Sequence, residues 1–204
     1  MNRIDDILNF WFEGIDDKTS IDKKASPFKK WFAKDEKFDR EIRQRFEEDL
    51  IRAQKGEYKS LEDSGPNRLA LIILFDQFSR NMYRNTPKMF EADSFALDLT
   101  LRSIKDFRDQ QLQLIERVFL YMPLEHAEDL TAQNLSLKCF QNLIDESKLK
   151  TPQNTSYYEY TFNYAKKHHA IIEKFGRFPH RNSILKRQST PEELEFLAEP
   201  ASSF

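Results

Sequence analysis

The stretch RLALIILFDQFSRNMY, Arg68 to Tyr83, decides the fold. From Leu69 to Phe75 every residue is apolar, so no face of a helix here is left for water. A helix that is apolar all round belongs inside a bundle and not on its surface. Pro66 suits the first turn of this helix, and Pro87 closes it. Polar residues then interrupt the apolar run. Asp76 and Arg80 are four apart and can pair on one face, and Gln77 and Asn81 form a second such pair beside them. Burying a lone polar group costs about 2–7 kcal/mol, so these four must be satisfied by one another, by other helices or by a ligand.

Outward from this helix, apolar residues recur at helical spacing and sustained alternation is absent. Ile4, Ile7, Leu8 and Trp11 share one face of a short first helix. Residues 14–34 are polar, contain Pro27, and read as a loop ending in Trp31-Phe32. Asp35 caps a helix striped by Phe38, Ile42, Phe46 and Leu50, with Gly56 as its stop. Further helices are expected over residues 91–106, 110–122, 126–146 and 156–175, the last ending at Gly176. Pro123 removes a backbone donor and crowds the Phe119 carbonyl, so a kink or break is expected there. Thr190-Pro191-Glu192-Glu193 is a capping box for a last short helix. Short connections favour antiparallel neighbours, in a bundle or a stack of hairpins.

Composition excludes several function classes. The chain of 204 residues suits one all-helical domain over 1–204. It has 4 glycines and no glycine-rich phosphate motif. A net charge of −2 gives no overall attraction to nucleic acid, and the short basic run Ile184 to Gln188 lacks interleaved aromatics. The single cysteine, Cys139, lies in an apolar helical stretch and reads as a packed side chain in a reducing compartment. No membrane span or signal peptide is visible, so a cytoplasmic protein is expected.

Three stretches carry chemistry. The first is FDQFSRN, with Asp76, Arg80 and Asn81. The second is MPLEHAED, where Glu125, Glu128 and Asp129 crowd His126; carboxylates beside a histidine favour its charged form and suit acid or base work. The third is KKHHAIIEKFGRFPHRN, with His168 on the core side of a helix and Arg177, His180, Arg181 and Asn182 in the loop after it. Arginine forks recognise carboxylates and phosphates, or clasp the loop to Asp76, Glu125 or Glu128. The metal-binding spacings HExxH and Glu-x-x-His are absent, and neither metal nor cofactor is expected.

These stretches, taken in order with FWF (10–12), WF (31–32) and STPEE (189–193), resemble the bacterial family known as domain of unknown function 924. The pattern departs from the family's at Phe75, Ser79 and Ala127, and at Asn85 and Lys186, where glycine is usual. The resemblance implies an all-α, tetratricopeptide-like stack of antiparallel helical hairpins, roughly eight helices. It implies no established reaction. From the residues, the expected function is binding of a small anionic or zwitterionic ligand. The pocket would be lined by Phe75, Phe78, Tyr83, Phe175 and Phe178. Asp76, Arg80, Asn81, Glu125, His168, Arg177, Arg181 and Asn182 would hold the ligand, and His126 or His180 would move a proton. The alternative is a tetratricopeptide-like groove for a peptide or partner protein, without catalysis. Neither reading indicates an oligomeric state.

Overall fold

The computed structural model describes residues 3–21 and 26–200, the side chains of residues 26–28 excepted, and among these every regular element is helical. α1 (Arg3–Phe12) buries Ile4, Ile7, Phe10, Trp11 and Phe12. α2 (Ser26–Phe32) occupies part of the span expected as loop, of which residues 22–25 lie outside the described residues. The reason is tertiary. The Trp31 indole N–H donates to the Trp11 carbonyl at 3.0 Å, and its ring meets that of Phe119 at 4.9 Å. Burying that much aromatic surface supports a turn of helix that the polar composition around it does not foretell. α3 (Glu36–Gln54) begins where the Asp35 carboxylate accepts from the N–H groups of Lys37 and Phe38, and it buries Ile42, Phe46 and Leu50 as its stripe predicts.

The Arg68–Tyr83 stretch is central, as its apolar circumference requires. α4 (Gly65–Ile72), a π-helical segment (Ile73–Phe78) and α5 (Ser79–Met82) run on without a break. Residues 69–75 are each at most 4% exposed. A π turn holds one extra residue, so side chains beyond it are rotated by about 100° from where an α-helix would put them. Ten α-helical segments are described, two of which are the ends of this one rod, which is close to the roughly eight helices expected.

α6 (Asp93–Lys105), α7 (Leu114–His126), α8 (Leu130–Lys150) and α9 (Thr155–Phe175) pack in sequence. Their side-chain contacts show the register. Arg117, at the start of α7, pairs with Glu146 near the end of α8 at 3.0 Å, while Gln133 at the start of α8 donates to the Glu125 carbonyl at the end of α7. His169, late in α9, donates to Asn134, early in α8, and Ser147 meets Thr155 at the other end. Both pairs of helices are therefore antiparallel.

Of the kink or break expected at Pro123 the break is absent: α7 runs through it to His126, and Asp129 then caps α8. A proline inside a helix costs about 3 kcal/mol. The turn around it buries Met122, Leu124 and Glu125, and each large apolar side chain so buried returns about 1.5–3 kcal/mol. α10 (Pro191–Leu197) carries the expected capping box, with the Thr190 side chain accepting from the Glu193 N–H. The main core spans α1 to α9, and Ile171, Ile172 and Phe178 form a small second cluster with Phe175 and Phe196. Among the described residues no helix is long and apolar enough to cross a membrane.

Candidate functional site

The site starts from the π turn. It places Asp76, only 1% exposed, against the last turn of α7. The Asp76 carboxylate accepts from His126 Nδ1 at 2.7 Å, from Gln77 Nε2 at 2.6 Å, and lies 3.0 Å from Arg80 Nη1. Arg80 also grips Asp93 with both terminal nitrogens, at 2.8 and 3.0 Å. Burial alone would raise Asp76, but Arg80 and His126 outweigh it and hold its carboxyl far below the usual range. Burial holds the His126 imidazole below its ordinary value, and Asp76 pulls the other way without cancelling this. The pair is thus a carboxylate and a neutral imidazole. Because the carboxylate only accepts, Nδ1 carries the imidazole proton and Nε2 keeps a lone pair.

His126 lines a hollow of about 370 Å³ between α7 and α9. One wall is aromatic and aliphatic, from Phe32, Met122, Tyr160 and Tyr164. The other is polar, from Gln77, Arg80, Glu125 and His168, with Lys167 at the α9 side. Glu125 is 5% exposed, and its Oε2 has no hydrogen-bond partner among the described residues. Burial, reinforced by the charge of Asp76, raises its carboxyl well above the ordinary value and so favours its protonated form. His168 donates from Nδ1 to the Tyr164 carbonyl at 2.9 Å, its ring 5.9 Å from that of His126. Burial, with His126 adding to it, lowers His168 to about 3.

A second hollow, about 460 Å³, shares His126 and is also lined by Asp76, Asp93, Ser94, Leu97 and Arg181. Arg181 donates to the His126 carbonyl at 2.9 Å and lies 3.5 Å from Asp93. His180 lines neither hollow; its ring lies tilted against that of Phe178, centroids 5.5 Å apart, and burial with the neighbouring Arg181 lowers it to about 4.

The structure therefore brings together Asp76, Arg80, Glu125, His126 and His168, with Arg181 behind them. Besides His180, it takes three candidates away. Asn81 does not pair with Gln77; it donates to Asp39 at 2.7 Å beside Arg84. Arg177 is held by Glu193 and the Gln188 carbonyl, and Asn182 by Ser189, Glu193 and Arg187. These two close the C-terminal loop onto α10. The loop is clasped to α7–α8 through Glu128, which pairs with Arg187 at 2.6 Å and accepts from the Phe178 N–H. The expected aromatic lining is also corrected. Phe78 packs with Phe46 in the main core, Phe75 with Phe95, Tyr83 bonds to Glu47, and Phe175 meets Phe196.

The true wall, Tyr160 and Tyr164, was readable in principle, because 160, 164 and 168 form an i, i+4, i+8 stripe ending in His168. Asp93 gave no such signal. Cys139 is buried, and burial pushes its thiol up to about 12, so it is no nucleophile. Among the described residues no three His, Cys, Asp or Glu side chains gather so as to hold a metal ion.

Residues 7–201 match the family described as "Bacterial protein of unknown function (DUF924)". A solved structure, that of a protein of unknown function from Agrobacterium tumefaciens, is 36% identical over 97% of each chain and superposes with a TM-score of 0.75. Among curated sequences none matches the chain.

Proposed function

The chain belongs to the bacterial DUF924 family, and we propose that in this member the hollow between α7 and α9 binds a small anionic or zwitterionic molecule on which His126 moves a proton. The observation that carries this is the 2.7 Å contact between Asp76 and His126 Nδ1 at the edge of that hollow. A carboxylate that fixes one imidazole nitrogen leaves the other as an oriented base, neutral at working pH. Lys167 on the lining suits an anionic group, and the aromatic wall suits an apolar body. The volume of about 370 Å³ fits a metabolite and not an extended chain. A groove for a peptide gains no observation of its own.

The test is a thermal-shift screen of small carboxylates, phosphates and amino acids on the wild type and on His126→Ala and Tyr164→Ala. A ligand at 100 times its Kd stabilises by about 2.7 kcal/mol, a shift of about 5–11 °C for a domain of this size. Shifts confined to the wild type support the reading. A panel that shifts nothing, or shifts Tyr164→Ala equally, refutes it.

A further inference from the structure

One oxygen of the buried Glu125 carboxyl goes unsatisfied. Its Oε2 meets no donor or acceptor among the described residues, yet it lies 5% exposed on the wall of the hollow that His126 lines. A buried polar atom left unsatisfied costs free energy that folding alone does not recover, so such a group calls for a partner that the chain does not supply. The groups facing it are Asp76 and Arg80 from the central rod, His126 on its own helix, and Tyr157 and His168 from α9. Gln133, on α8, donates to the Glu125 carbonyl. Arg80 is engaged by Asp76 and Asp93, so Glu125 has no cation of its own.

We infer that Glu125 is the acid that complements His126, and that the pocket's substrate is a carbonyl compound carrying an ionisable C–H next to its C=O. This rests on the reading of His126 as base given above. His126 Nε2 takes the proton from that carbon. The C–H electron pair becomes the C=C bond of an enol, and the carbonyl π pair takes the Glu125 proton onto oxygen. Reversal through His126 returns both protons, so the step is balanced without a further reactant. Its outcome is tautomerisation, with exchange of that C–H proton for one from solvent. The hydroxyls on the lining are otherwise engaged, Thr161 with the Tyr158 carbonyl and Tyr160 with Tyr164, which leaves the acid and the base as its working groups. Two neighbouring groups whose surroundings push their protonation states apart form such a pair. Lys167 is suited to a carboxylate on the same substrate, and Phe32, Tyr160 and Tyr164 to a ring, which points to 2-oxo acids with an aryl or large alkyl group.

The probe is phenylpyruvate in deuterated buffer, with loss of its C3 proton signal followed by NMR and binding measured separately by calorimetry. The wild type is expected to speed exchange above the buffer background. Glu125→Gln, nearly isosteric and still a hydrogen-bond donor, keeps binding within a few-fold while exchange falls about 100-fold, the size of a lost general acid. Binding without exchange, or equal exchange in Glu125→Gln, overturns this inference and leaves ligand binding standing. No binding to phenylpyruvate or to any of the screened carboxylates overturns both readings. A ligand-free measurement stands beside these. Infrared spectra at neutral pH should show a protonated carboxyl band in the wild type that is lost in Glu125→Gln, and its absence from the wild type sinks the proposal even if Glu125→Gln folds poorly.

Discussion

His168 gives its Nδ1 proton to the Tyr164 carbonyl, and burial, with His126, Arg181 and His180 adding to it, lowers the ring to about 3. An unfolded histidine titrates near 6.5. Between these values the unfolded chain takes up a proton that the folded chain refuses, so this contribution is complete above about 6.5 and is lost as pH falls toward about 3. One such group gives a slope of up to about 1.4 kcal/mol per pH unit. His168→Asn keeps a donor for the Tyr164 carbonyl and cannot take the proton. Urea unfolding at a series of pH values from about 7 down to about 4 should therefore show a shallower loss for the variant, and equal slopes would refute the assignment. His180, lowered to about 4, adds its own smaller share in both proteins. His126 was legible in the sequence because carboxylates flank it, and His168 because it falls on the apolar side of a helix. Asn81, Arg177 and Asn182 looked just as promising and proved to be clasps. The difference is tertiary: nothing in a local stretch tells a polar side chain whether Asp39, Glu193 or a hollow will face it.

The helix ends were readable because caps are local chemistry. Asp35, Thr190 and Gly176 do at their positions what their residue types predict, Gly176 by taking a φ of 69°. Two features were not readable. A helix through Pro123 depends on what its last turn buries, and the π turn at Ile73–Phe78 has no residue type that announces it. Yet the π turn sets the direction of Asp76, so the site depends on the one irregularity that the pattern conceals. The two missing glycines can be tested. Asn85 and Lys186 hold φ values of 62° and 55°, in the left-handed region. Asparagine tolerates that region through its short polar side chain, whereas for lysine it costs about 1–2 kcal/mol. Against this, glycine loses more chain entropy on folding. Lys186→Gly is expected to raise stability by about 1 kcal/mol in a urea titration, and Asn85→Gly to change it by less. A destabilised Lys186→Gly protein would mean that the exposed Lys186 side chain contributes something the backbone does not show.

At the scale of the molecule, the small cluster of Ile171, Ile172 and Phe178 stands apart from the main core, and Arg181 reaches across beside the Glu128 clasp. Its guanidinium lies 4.5 Å from the Phe178 ring centroid and 4.6 Å from that of Phe90. It donates to the carbonyl of His126 at the end of α7 and faces Asp93 on α6. Only 7% of it is exposed, so removing it strips a partner from the Asp93 carboxylate and from the end of α7, a loss of about 3–5 kcal/mol. Lysine keeps the charge but neither the fork nor the flat face that stacks between the rings, so Arg181→Lys should recover only part of that. The two tryptophans, Trp11 and Trp31, both lie in the main core, whereas backbone ellipticity also reports α10 and the end of α9. In the wild type the two signals should lose structure together on urea titration, as a cooperative single unit does. In Arg181→Ala the ellipticity should begin to fall at lower urea than the fluorescence, as the C-terminal cluster comes free while the tryptophans stay packed. Coincident transitions in that variant would show that the Glu128–Arg187 pair and the Phe178 ring hold the cluster without Arg181, and that its role is confined to the second hollow.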